Sequence, residues 1–140
     1  MTYRTVARFG LGCLAVSALS VGVWGTVAPR AFYDDFPGLG RMWISPDGPY
    51  NEHLLRDVAG LQLGLAVVLV ASAVHLSREM VMTAAVASLA FGVPHLLYHA
   101  FNAEVLGPSD RVLNLTLLAL GASLPVGLLW LAPRLEERER

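Results

Sequence analysis

Four long apolar runs divide this chain, and the polar residues fall almost entirely between them. A helix needs about 20 mostly apolar residues to cross a bilayer. The runs predict spans at about residues 9–28, 55–75, 80–101 and 112–131. Pro29 stops the first and Pro133 the fourth, and the few residues around Ser77–Glu79 make the second and third an antiparallel hairpin. The expected fold class is all-α, a four-helix transmembrane bundle in one domain, with an extracytoplasmic loop between helices 1 and 2. The first run also reads as a signal peptide with a loose cleavage site at Thr26-Val27-Ala28. Its length exceeds the 7–15 residues of an ordinary signal core, which favours a retained helix. Ala15, Ala18, Gly22 and Gly25 line one face of it, as a packing helix needs.

Polar positions inside the apolar runs are few and therefore informative, because an ionisable group in a span is costly and defaults to a functional role. His53 and Asp57 open the second run one helical turn apart, with Asn51 placed as N-cap; His95 and His99 close the third. In antiparallel neighbours the two pairs lie at the same membrane face. His53, Asp57, Gly60 and Gly64 share a stripe, and the GxxxG within it predicts that this face packs inward. Ser88, Phe91, His95, His99 and Asn102 form the facing stripe, with a kink expected at Pro94, and Asn114 adds a polar group from the fourth run. The opposite half of the bundle is apolar, which argues against a channel or a proton path through the whole membrane.

Three chemistries fit this cluster. His53, Asp57, His95 and His99 form a three-histidine, one-carboxylate set suited to a divalent transition metal, zinc, iron or copper, with Glu52 in reserve and with redox or hydrolytic chemistry implied. Without a metal, a His–Asp pair exchanges protons near neutral pH, and the same pocket suits a lipid head group, a quinone or another small hydrophobic ligand. In the third reading the chain is a non-enzymatic membrane subunit whose cluster is a hydrogen-bond network fixing helix register. His75, at the far end of its helix, reads as a favourable helix C-terminal residue. Arg56 either snorkels to the interface or holds an anion near the cluster.

The connection from Pro29 to Asn51 is long enough to fold. Asp34–Gly38 and Ser45–Pro49 read as turns, and the aromatic residues between them predict a cap folded back on the bundle. The 140 residues are 55% hydrophobic and only 15% charged, against about 25% charged in soluble domains. A net charge of −1 offers no basic surface to nucleic acid. The single cysteine, Cys13, allows no disulfide within the chain and is expected to be a small buried apolar residue. All basic residues are arginine. Arg4, Arg8, Arg78, Arg134, Arg138 and Arg140 outnumber Arg30, Arg41, Arg56 and Arg111, so both termini are expected in the cytoplasm, in a multi-pass protein of the cell membrane. The expected partners are the lipid bilayer, a small hydrophobic ligand, and a membrane-protein partner or a second copy. The run Glu136–Arg140 reads as a solvated helix end.

The stretch Pro46-Asp47-Gly48-Pro49-Tyr50-Asn51-Glu52-His53-Leu54-Leu55-Arg56-Asp57-Val58, with Pro94-His95-Leu96-Leu97-Tyr98-His99, resembles small four-helix membrane proteins of actinobacteria, a group that brings no activity with it. In size and helix count the chain is also similar to DoxX-type membrane proteins, some of which are linked to redox partners. No motif of that family occurs here, so the likeness assigns no residue a role.

Overall fold

The computed structural model describes residues 2–135. Four helices are long and apolar enough to cross a membrane, which makes the chain a multi-pass membrane protein by the length and composition of its helices. They are α1 (Tyr3–Val27), α3 (Glu52–His75), α4 (Arg78–Phe101) and α5 (Pro108–Leu131), the last continued by a 3-10 turn through Ala132–Leu135. Pro29 ends the first span but also starts a short helix, α2 (Pro29–Asp35), as the first residue of its first turn, where its missing N–H is no loss. A two-residue hairpin, β1 (Pro37–Gly38) with β2 (Arg41–Met42), follows. Its turn holds Gly38, Leu39 and Gly40 at positive φ, two of the three being the residue that adopts that conformation without penalty. The Phe36–Pro37 peptide bond is cis.

The spans α3 and α4 begin on polar caps. Asn51 accepts from the Leu54 N–H at 3.1 Å and Ser77 from the Met80 N–H at 3.3 Å, each satisfying one donor that a helix start leaves open. Both α4 and α5 run as continuous helices through Pro94 and Pro125.

The helices form a ring in which α1 packs most extensively on α3, and α4 on α5, while the α3–α4 and α1–α5 seams are slighter. The α1–α3 seam is close because of glycine. A Cβ at Gly22 would lie 2.8 Å from the Leu63 side chain, and one at Gly25 2.9 Å from the Ala59 Cβ. The expected packing face of α1 is thus the observed one, with Ala15, Ala18, Gly22 and Gly25 all buried. Cys13 is the exception on this helix: it is exposed on the outside of the bundle, not buried.

Burial is uneven along the bundle. The continuous core (Leu11, Leu69, Leu76, Val81, Ala84 and Leu128 among its members) lies toward the end that carries the α3–α4 turn. There Ser72 Oγ donates to the carbonyls of Val68 and Met80, at 2.7 and 3.0 Å, and ties the turn together. In α4 no residue beyond Ser88 is buried. In α5 none is buried between Asn114 and Pro125. The half of the bundle nearer the long connection is therefore looser, and the polar residues lie in that half.

Candidate functional site

The connection between α1 and α3 is a folded cap. Trp24, Phe32, Phe36 and Trp43 form a chain of aromatic contacts with successive ring centroids 5.7, 4.9 and 6.2 Å apart. Phe32 and Trp43 are buried in it. The Tyr33 hydroxyl donates to the carbonyls of Ser45 and Gly48, closing the loop on itself. Two contacts then fasten the cap to the far helix pair. Arg41 is ion-paired with Asp110 at the start of α5, and the Trp43 indole N–H donates to the same carboxylate oxygen at 3.0 Å. The Tyr98 hydroxyl of α4 donates to Asp47 Oδ1 at 3.2 Å. At the near side, Arg56 bonds both Glu52 (2.8 Å) and the Thr26 carbonyl (2.6 Å), pinning the start of α3 to the end of α1. Arg56 thus joins the cap-side ends of α1 and α3.

Beneath the cap the α4 stripe forms as expected. His95 stacks on Phe91 at a centroid distance of 5.0 Å, and His99 meets His95 edge-on at 4.7 Å. Both imidazoles are half-buried. Ser88 is buried and donates to the Ala84 carbonyl, while the Asn102 amide donates to the Tyr98 carbonyl and finishes the helix. The carboxylate within electrostatic reach of both histidines is Asp47 of the cap. Nothing in the sequence marked Asp47, which lies in an ordinary Ser-Pro-Asp-Gly turn.

The α3 stripe points the other way. His53 and Asp57 do pair, Nε2 to Oδ2 at 3.3 Å, but their side chains are 88% and 56% exposed. Nothing lies within 4 Å of a Cβ built at Gly60 or Gly64. The expectation that this GxxxG face packs inward is corrected: α3 buries Ala59, Gln62, Ala66, Leu69 and Ser72, the opposite side of the helix. His53–Asp57 and His95–His99 are accordingly two pairs. Among the described residues no three His, Cys, Asp or Glu side chains gather as a metal-ligand group.

The reversal brings a different polar residue inside. Gln62 is 7% exposed on the packed face of α3, and Asn114 is 6% exposed on α5. Among the described residues the enclosed side-chain polar atom without a hydrogen-bond partner is Thr26 Oγ1, near the cap end of α1; the amide groups of Gln62 and Asn114 are not enclosed in this way. Asn114 lies about 9 Å along α5 from Pro108 and His95 about 9 Å along α4 from Phe101, so the two are at matching depth. Gln62 is about 15 Å along α3 from Glu52. Asn114 was legible as an interior polar group; Gln62 was not, because its neighbours in sequence are the glycines of the outward stripe. His75 lies at the far end, in a cleft with Ser77 and Glu79, away from this region. The chain matches no family model, and no curated protein or solved structure matches it.

Proposed function

We propose that this chain is a binding protein of the cell membrane that holds a small amphiphile, lipid-like or quinone-like, in the cap half of its bundle. The observation that carries this reading is the stripe of His95 and His99 beneath the cap, with Phe91 stacked on His95, to which Gln62 and Asn114, residues largely buried on α3 and α5, add amide groups. Each amide offers two donors and an acceptor. His95 and His99 present further donors and acceptors at the same level, and Phe91 gives a flat apolar wall. The loosely packed outer stretches of α4 and α5 leave room for an apolar body beside them. The cap roofs this region and separates a bound head group from water. The excess of arginine at the termini and the α3–α4 turn supports a cytoplasmic location for both ends, with the cap outside.

The metal reading has narrower support. It rests on the two imidazoles of His95 and His99, whose ring centroids are 4.7 Å apart. Zinc, iron or copper sites ordinarily draw on three or more protein ligands. His53 and Asp57 lie on the outward side of α3 and would have to come from elsewhere to complete the set.

The test is titration of the protein in lipid nanodiscs with a short-chain quinone, read by quenching of Trp24 and Trp43. Saturable quenching in the wild type, at least tenfold weaker in His95→Ala and Asn114→Leu, is the expected result. Quenching that rises linearly and equally in all three proteins would overturn the proposal and leave the polar groups as a packing network. Elemental analysis of the same preparation, with His95→Ala/His99→Ala beside it, decides the metal reading.

A further inference from the structure

The end of the bundle opposite the cap is its basic end. Arg4 and Arg8 at the start of α1, Arg78 at the start of α4 and Arg134 after α5 lie there, with Glu79 the one carboxylate among the described residues. At the cap end carboxylates outnumber arginines. The stretch Glu136–Arg140, outside the described residues, adds three glutamates and two arginines to the chain. A cleft of about 190 Å³ opens at this basic end, lined by Arg4, His75, Ser77, Arg78, Glu79 and Leu135. A water takes about 30 Å³ of the liquid, so the cleft has room for a phosphate group. All four spans begin or end at this level, which sets the cleft at the edge of the bilayer, where lipid phosphates lie. Trp130, exposed on α5 with the Arg134 guanidinium 3.7 Å over its ring, marks the same boundary.

We propose that this cleft binds the head group of an anionic phospholipid, with phosphatidylglycerol as its type. Arg4 and Arg78 line it from two different helices, so a phosphate between them gains charge-assisted bonds from both. Arg8 Nε donates to the Ala73 carbonyl at 3.3 Å and holds α1 against the end of α3, which keeps Arg4, one turn earlier, beside the α3–α4 turn. Arg4 and Arg78 already interact within the chain, and each guanidinium has five N–H donors, enough to hold a phosphate alongside that contact. The start of α4 adds the positive end of its dipole. Glu79 accepts from the hydroxyls of a glycerol head group. A choline head group brings it no donor and sets another cation among the arginines. The site is independent of the pocket beneath the cap, which lies at the other end of the bundle.

Native mass spectrometry of the full chain in detergent tests it, with dioctanoyl phosphatidylglycerol and dioctanoyl phosphatidylcholine supplied at equal concentration. The expected result is a one-to-one phosphatidylglycerol adduct at least fivefold more abundant than the phosphatidylcholine adduct. Arg4→Ala/Arg78→Ala should abolish that preference, and Arg4→Lys/Arg78→Lys should keep most of it, because lysine retains the charge that a phosphate needs. Arg78→Ala alone, at an exposed position, should weaken the preference in a chain that unfolds at the wild-type temperature. Arg30→Ala, at the cap end, should leave it unchanged. Equal adducts of the two lipids, or a preference indifferent to the Arg4 and Arg78 variants, would overturn the proposal. Displacement of the lipid by an equal concentration of inorganic phosphate would overturn it in favour of a soluble anion. A preference that emerges only after removal of residues 136–140 would overturn it too, and would give the cleft to the acidic tail of the chain itself.

Discussion

Trp43 and Asp110, 67 positions apart, are joined by an indole N–H that donates to the aspartate Oδ1 at 3.0 Å. That bond, with the Arg41–Asp110 ion pair beside it, fixes the cap grown from α1 onto the helix most distant from it in the chain. A carboxylate at the first turn of α5 is also favoured by the helix dipole, so the sequence around Asp110 is stable there before the cap arrives.

Loss of this anchor should free the cap without unfolding the spans. In Asp110→Ala, Arg41 has no carboxylate and lies two residues from Leu39, which is almost fully exposed. Trypsin added to the cap side of proteoliposomes should then cut after Arg41 several-fold faster than in the wild type. Trp43→Phe keeps the ring contact with Phe36 and loses only the donor, so its cleavage rate should fall between the two.

Glycine substitutions should separate the two sides of α3 by sign. Gly22→Ala pushes a methyl group to within 3 Å of Leu63 and should destabilise the detergent-solubilised monomer by about 1–3 kcal/mol. Gly64→Ala meets nothing and should stabilise the same monomer by up to about 1 kcal/mol through helix propensity. Unfolding of both variants in mixed micelles gives the comparison. Equal losses would mean that the outward face of α3 is packed after all.

The same contrast explains what the sequence made legible. In α1 small residues occur on one side only, so the packing face is readable, and Gly22 and Gly25 do meet Leu63 and Ala59. In α3 glycine and alanine occur on both sides, with Ala59 and Ala66 opposite Gly60 and Gly64. Lipid-facing and buried positions are then equally apolar, and periodicity alone no longer tells inside from outside. The polar pair His53–Asp57 looked like an interior marker because charge in a membrane is costly, yet the bundle turns it outward. The HxxxH pair of α4 was readable because its partners, Phe91 and Tyr98, lie within one or two turns on the same helix. Asp47 and Trp43 were not, since a loop contact closed over dozens of residues leaves no local pattern.

The cap should also respond to alkaline pH through Tyr50. Withdrawal of its ring from water, reinforced by the hydroxyl donating to Glu52 at 3.2 Å, holds the phenol above its ordinary value. A group whose acid form is favoured on folding contributes fully below its unfolded pKa, about 10. That contribution is lost as pH rises through the raised value. The phenolate absorbance of the folded protein should therefore show a late-titrating component that shrinks by one tyrosine in Tyr50→Phe. A Tyr50 that ionises at the ordinary value would show that the cap leaves it in water.

Asn114 should display opposite effects on stability and on binding. Asn114 is 6% exposed and among the described residues no side-chain hydrogen bond holds it to a neighbouring helix, so replacing it with leucine, close in volume and apolar, removes a polar group from largely apolar surroundings. Asn114→Leu should raise the stability of the ligand-free protein by up to about 1 kcal/mol, and Gln62→Leu should do the same. Both should weaken the quinone quenching, because the head group loses the amide it bonds. A residue kept only to order the bundle behaves otherwise: its loss lowers stability and leaves ligand affinity unchanged. Binding sites commonly hold groups that the free protein would be more stable without. Thermal unfolding of Asn114→Leu alongside its quenching titration measures both quantities on one preparation. A destabilised variant would mean that the amide bonds another part of the bundle, and that the pocket is not built around it.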